Sequence, residues 1–213
     1  MIISDWISNN FIELFGAVTG IIYVFLEIKQ TIWLWPVGIV TSAVYIWVFF
    51  TSKFYADMSL QGYYLIISFL GWYWWTRGTV QRAQSSGQEE DGMGIRGDEE
   101  KKELQVSRLK LRLGLILAIA FVLLFTLMWF VLTRFTDSPV PVRDSFITSL
   151  SIVATWMLAR KIYEHWYLWI VVNFVSAVLF LTRGLLPTFI LYIVYGIMSF
   201  AGLAAWKKSI SAD

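Results

Sequence analysis

The chain has 213 residues, 58% of them apolar and 15% charged, where a soluble domain carries about 25% charged residues. The charges are also clustered, with one between Ala56 and Thr76 and none between Leu113 and Thr133, which is integral-membrane composition rather than that of a soluble enzyme or binding domain. The net charge of +2 decides little, and the absence of Cys excludes disulfide frameworks and thiolate metal sites.

The first ten residues carry no Lys or Arg, and no small-residue cleavage site precedes a short apolar core, so no cleavable signal is expected. Seven membrane spans are predicted from apolar runs of bilayer-crossing length. The first runs from about Phe11 to Ile28, the second from Trp33 to Phe50, and the third from Asp57 to Thr76. Residues 1–76 thus form a first three-helix bundle. A polar segment follows from Arg77 to Arg108, rich in Gly, Ser, Gln, Glu and Lys, which reads as a flexible cytoplasmic loop and a solvated tether. The fourth span, about Leu109 to Thr133, is a linker helix within residues 109–134. A short connection holds Asp137, Pro139 and Pro141. The fifth span is about Asp144 to Arg160, the sixth Trp166 to Thr182, and the seventh Leu186 to Trp206, which makes residues 143–208 a second three-helix bundle.

Orientation follows from Lys and Arg in the connections. Four lie on the side of the N-terminus and thirteen on the other, so the N-terminus is predicted outside and the C-terminus in the cytoplasm. The long third connection carries this expectation, since without it the count is five against four.

The chain repeats itself. Laying the third span on the seventh in a single register matches Leu60 with Leu191, Tyr64 with Tyr195, Ser68 with Ser199, Gly71 with Gly202 and Trp75 with Trp206. Laying the second on the sixth matches Trp35 with Trp169 and Ser42 with Ser176. The two offsets differ by three, which a shorter second loop would explain. Two three-helix units face the same way only if one crossing separates them. The predicted fold is therefore an all-α membrane protein of seven helices, three plus one plus three, as a parallel repeat. Such repeats place a substrate site near the midplane between the bundles.

Candidate substrate-binding residues are the polar and aromatic groups inside spans, where hydrocarbon offers no hydrogen bonds. On the first unit they are Trp35, Ser42, Tyr45, Gln61 and Tyr64, with Thr41 beside them. On the second they are Trp169, Asn173, Ser176, Tyr192 and Tyr195. Trp169, Asn173 and Ser176 step by four and three, so they share a helix face, as do Trp35, Ser42 and Tyr45. The plain alternative is helix packing, in which such groups hydrogen-bond between helices for roughly 0.6–2 kcal/mol each. That alternative suits Ser and Thr best. The primary amides of Gln61 and Asn173 are costlier to bury unused. Trp72, Trp74, Trp75 and Trp206 lie at span ends and read as interface anchors. His165, the single histidine, falls in a short connection and reads as a solvated loop residue. Glu27, Lys29, Arg160, Lys161 and Glu164 read as groups at the cytoplasmic border.

No carboxylate falls at a span centre, where proton or sodium coupling usually needs one. No phosphate-binding Gly-Lys loop, nucleophile–base pair or metal-ligand cluster appears. The expectation is no enzyme, no cofactor and no nucleic-acid partner. A non-transporting membrane scaffold is the competing class.

The residues resemble the PnuC family of bacterial vitamin transporters, best known for nicotinamide riboside. The resemblance covers nearly the whole chain. It rests on Trp35-Pro36-Val37-Gly38, Tyr55-Ala56-Asp57 with Leu60-Gln61, and Gly71-Trp72-Tyr73. In the second half it rests on Ala159-Arg160-Lys161, Trp166 and Trp169 with Asn173 and Ser176, and Gly184-Leu185. It implies seven helices arranged as in the SWEET sugar transporters, a place in the bacterial inner membrane, and facilitated diffusion with trapping by cytoplasmic phosphorylation. It also implies that Gln61, Trp169 and Asn173 line the site. Nicotinamide riboside carries a pyridinium ring, which Trp and Tyr faces attract by about 0.5–2 kcal/mol. Thiamine, with its thiazolium ring, fits the same argument, and the family has thiamine- and riboflavin-transporting relatives. The vitamin and the lipid bilayer are the expected partners. The oligomeric state stays open, a homotrimer included.

Overall fold

The computed structural model describes residues 11–51, 55–77, 104–136 and 139–211, with side chains described outside 11–13, 55–57 and 211. Most of the predicted polar loop, including the stretch from Gln88 to Glu103, lies outside the described residues, as do Lys53 and Asp137.

Among the described residues there are seven helices: α1 (Phe11–Ile28), α2 (Leu34–Thr51), α3 (Tyr55–Arg77), α4 (Leu111–Phe135), α5 (Pro141–Ala159), α6 (His165–Thr182) and α7 (Leu186–Ser211). Each corresponds to one predicted span, with ends that differ by a few residues. The C-terminal end of α7 differs most, because Lys207 and Lys208 continue the helix rather than stop it. Stretches of α2, α4, α6 and α7 are long and apolar enough to cross a membrane. Apolar side chains such as Ile66, Phe174 and Ile197 face outward, which suits a lipid solvent.

The helix ends explain how the chain turns back on itself. α5 opens with Pro141 at its first position, where the missing N–H is no loss. α1, α5 and α6 each close on a residue with positive φ: Gln30 (54°), Lys161 (49°) and Gly184 (72°). At each, two hydrogen bonds fold the chain back over the last turn. Thr31 N–H donates to Leu26 O (3.1 Å), Ile162 N–H to Met157 O (2.9 Å) and Leu185 N–H to Phe180 O (3.0 Å). These are Schellman caps, which satisfy carbonyls the helix leaves orphaned.

α2 packs on α1 and α3, and α6 packs on α5 and α7. Two further contacts join the groups crosswise: α1 packs on α7, and α3 packs on α5. α4 packs on α5, with Phe121 edge-on to Phe146 (5.7 Å), and has no buried residue of its own. Just before α4, residues 104–110 run in extended form beneath the α5–α6 turn. Ser107 N–H donates to Lys161 O and Tyr163 N–H to Ser107 O (both 2.9 Å), while Leu109 N–H donates to the Glu164 carboxylate (2.8 Å). The sequence reads this stretch as loop up to Arg108; backbone pairing and the packing of Leu104 and Val106 against the core hold it in place.

The core lies where the two groups meet. Leu34, Trp35, Trp75, Leu158, Ala159, Trp166 and Trp206 are buried in one cluster. Trp35 meets Trp75 edge-on at 5.3 Å, and Trp166 meets Trp206 at 5.9 Å. A Cβ added to Gly71 would fall inside the Trp35 ring, and one added to Gly202 inside the Trp166 ring. Trp75 and Trp206 are therefore core residues, not interface anchors. Their indole N–H groups donate across to the opposite group, Trp75 to Ala159 O (3.1 Å) and Trp206 to Glu27 O (3.0 Å).

Equivalent features keep one constant spacing throughout: Gln30 and Lys161, Trp35 and Trp166, Gly71 and Gly202, Trp75 and Trp206. The spacing is the same across the second span as across the third. Trp35 thus has Trp166 as its counterpart, not Trp169, and the connections are of equal length. Trp166 and Trp169 are three residues apart, so a match on residue identity alone admits both registers.

Candidate functional site

A cavity of about 450 Å³ opens between the two groups of helices. Its wall draws on α1, α2, α3, α5, α6 and α7. α1 contributes Thr19, Gly20, Tyr23 and Glu27; α2 contributes Thr41, Ser42 and Tyr45; α3 contributes Gln61, Tyr64 and Ser68. From the other side come Ser151 and Thr155 of α5, Trp166, Trp169 and Asn173 of α6, and Tyr192, Tyr195 and Ser199 of α7. The volume falls within the roughly 300–1,000 Å³ of small-molecule sites.

Of the residues singled out from the sequence, Ser42, Tyr45, Gln61, Tyr64, Trp169, Asn173, Tyr192 and Tyr195 stand in this wall. Trp35 does not: it is fully buried against Gly71 and Trp75. Ser176 lies buried beside Tyr192, outside the lining. The shared face of Trp169 and Asn173 is visible in the sequence as a step of four.

Local packing sets the geometry. Asn173 Nδ2 donates to Ser199 Oγ (3.0 Å), and Ser199 in turn donates to Tyr195 O (2.8 Å). At the equivalent place in the first half, Ser68 donates to Tyr64 O (2.7 Å). Each hydroxyl thus satisfies a carbonyl of its own helix, and Ser199 also holds the facing amide in place. Phe180 stacks on Tyr192 (5.2 Å), which meets Tyr195 edge-on (5.8 Å). The Tyr195 ring reaches across to α1, where Gly20 leaves room for its hydroxyl. The indole N–H groups of Trp166 and Trp169, both in residues of the wall, are buried without a hydrogen-bond partner within the protein, as is that of Trp35 away from the wall, so Trp169 is the donor without such a counterpart. A buried donor without a partner is costly, and a ligand acceptor would relieve that cost.

At the α1 end of the wall the structure departs from the sequence expectation. His165 is not solvated but fully buried, and Glu27 is 2% exposed. His165 Nε2 lies 3.0 Å from Glu27 Oε1, and its Nδ1 lies 2.7 Å from Ile162 O. The ring is enclosed by Trp166 (4.8 Å) and Trp206 (4.6 Å). The α5–α6 connection is tucked between the helix groups and against residues 104–110, which places a short linker in the interior. Lys161, read as a border group, is likewise buried, its ammonium 4.3 Å from the centre of the Trp75 ring. Sequence reasoning also passed over Tyr23, Ser151 and Thr155, although Thr148, Ser151 and Thr155 step by three and four along one face of α5.

The family described as Nicotinamide mononucleotide transporter matches residues 10–208 of this chain. The nicotinamide riboside transporter PnuC of Escherichia coli is 25% identical over 213 residues, covering 94% of this chain and 86% of that protein. The riboflavin/roseoflavin transporter RibM of Streptomyces davaonensis is 26% identical over 203 residues, covering 91% and 83%. The crystal structure of the vitamin B3 transporter PnuC has the same fold, with a TM-score of 0.70 at 24% identity over 99% of this chain and 86% of that one. The chain belongs to the nicotinamide mononucleotide transporter family and is a multi-pass membrane protein.

Proposed function

We propose that this member of the family imports nicotinamide riboside across the bacterial inner membrane by facilitated diffusion, and that phosphorylation in the cytoplasm traps what enters. The wall chemistry is the observation that carries this reading. Gln61 and Asn173 offer amides to a ribose hydroxyl or a carboxamide, and Trp166 and Trp169 bring unpaired indole donors. Tyr45, Tyr64, Tyr192 and Tyr195 also line the cavity, and a flat cationic ring held against one such aromatic ring would gain about 0.5–2 kcal/mol. The names of the relatives support a vitamin substrate. RibM, a riboflavin/roseoflavin transporter by name, favours riboflavin as a second reading. Thiamine fits the same aromatic wall by its own cationic ring.

In this reading the N-terminus lies outside, the C-terminus lies in the cytoplasm, and α4 links two parallel three-helix bundles. Among the described residues the wall holds no Lys, Arg or Asp, and its one carboxylate, Glu27, is paired with His165 in the last turn of α1 rather than standing alone at a span centre. Transport would then need no ion gradient, and exchange between equal pools would persist when gradients are collapsed. Strict dependence on sodium or protons would sink facilitated diffusion.

The test is calorimetric titration of the purified protein with nicotinamide riboside, thiamine and riboflavin in parallel. Micromolar binding of one, weakened by Asn173→Ala or Gln61→Ala in protein that stays folded, supports a transporter and names its vitamin. No binding of any, with the same variants changing only stability, would return weight to a membrane scaffold.

A further inference from the structure

Glu27 is the one residue with a formal charge among the described residues of the cavity wall. It sits in the last turn of α1, at the negative end of the helix dipole, where a carboxylate is disfavoured. Burial there adds a further cost unless a partner compensates. His165 is that partner, reaching in from α6 at 3.0 Å.

The hydrogen bonds fix the protons of this pair. Ile162 O can only accept, so His165 Nδ1 carries a proton. Nε2 and Oε1 then hold one proton between them, because two lone pairs at that distance would repel. With the proton on nitrogen, the wall presents a carboxylate backed by an imidazolium. With it on oxygen, the wall presents a neutral acid. Either way the pair is neutral in sum, and a cation entering the cavity draws it toward the first arrangement.

The fold itself supplies a control. In the register that pairs Trp35 with Trp166, Glu27 falls on Leu158, and His165 has Leu34 as its counterpart. Leu158 and Leu34 are both fully buried in one core cluster. The same crossing of the two helix groups is therefore built once from two leucines and once from an acid and a histidine. The acid–histidine crossing is the one whose acid belongs to the cavity wall; Leu34 and Leu158 are absent from it. Packing does not require the charge.

We propose that Glu27, positioned by His165, selects substrates that carry a positively charged ring. The proposal rests on the transport reading above and adds the residue that distinguishes a cation from a neutral molecule of the same shape.

Nicotinamide riboside and its 1,4-dihydro form are such a pair, the second being uncharged. Binding of both is measured to wild type, Glu27→Gln, and the double variant Glu27→Leu with His165→Leu, which copies the leucine crossing and keeps a folded reference should the glutamine fail. Wild type is expected to favour the cation. Both variants are expected to weaken binding of the cation about three- to tenfold more than binding of the dihydro form, less than a lone opposite charge would give because the imidazolium behind the carboxylate offsets part of its field. Equal weakening of both ligands, or of neither, overturns the proposal and leaves the transport reading standing. Wild-type protein that binds neither ligand overturns the transport reading and this proposal with it.

Discussion

The α1–α2 and α5–α6 junctions turn the chain in the same way. Both use a Schellman cap on a residue other than glycine, Gln30 in one and Lys161 in the other, and both lead into a buried tryptophan, Trp35 or Trp166. Both tryptophans fill the space left by a glycine on the last helix of their own group. The side chains that cross between the junctions differ. One crossing joins Glu27 to His165, while the equivalent positions are Leu34 and Leu158. Trp166 lines the cavity and Trp35 does not. The backbone thus repeats while the chemistry is concentrated on one of two equivalent places.

Single substitutions sharpen this contrast. The largest effect is expected for Glu27→Ala, which strands a buried histidine and costs about 3–5 kcal/mol. Leu158→Ala at the equivalent place should cost about 2–5 kcal/mol through its cavity. The two separate in a second step: His165→Leu should restore part of the loss in Glu27→Ala, whereas Leu34→Val should only add to that of Leu158→Ala. Thermal unfolding in detergent reads all four, and identical behaviour of the two crossings would break the comparison. Next are Gly71→Ala and Gly202→Ala, each overpacking a tryptophan for about 1–3 kcal/mol. Only Gly202→Ala should also weaken ligand binding, because Trp166 belongs to the wall. Titration left unchanged by Gly202→Ala would show that the wall does not depend on Trp166, and equal weakening by both variants would break the contrast between the two halves. The smallest effect concerns the caps. Gln30→Gly should gain no more than about 0.5 kcal/mol, since it removes the left-handed strain but gives up the exposed hydrogen bond that Gln30 Nε2 donates to Ser209 Oγ (3.0 Å). Lys161→Gly should gain nothing, since it gives up the contact with the Trp75 ring, itself about 0.5–2 kcal/mol.

Length and apolarity made the helices legible, and α1 runs over the same residues in sequence and structure, Phe11 to Ile28. Helical spacing made part of the wall legible, since Gln61 with Tyr64 and Trp169 with Asn173 mark faces before any packing is known. The Glu27–His165 crossing was not legible in the same way. A histidine in the short stretch between one span and the next looks solvated until the tertiary fold buries it. The repeat held the missing clue: laid back onto the first half, His165 falls on Leu34, and an apolar counterpart is a sign of burial. Matching Trp35 to Trp169 hid that clue by a slip of three positions. Ser151 and Thr155 were passed over despite their shared face, because a helical hydroxyl can bond its own backbone, as Thr155 does to Ser151 O at 2.8 Å, and so need not mark a site.

The placement of the tryptophans also gives the protein a built-in optical probe. Trp166 and Trp169 border the cavity, whereas Trp35 and Trp75 are packed into the core away from its wall. An electron-poor ring such as pyridinium accepts an electron from excited indole and quenches its emission at contact. A bound cation would darken the first pair and spare the second, so occupancy could be followed by fluorescence without any label, and replacing Trp169 by Phe would dim the response without unseating the core.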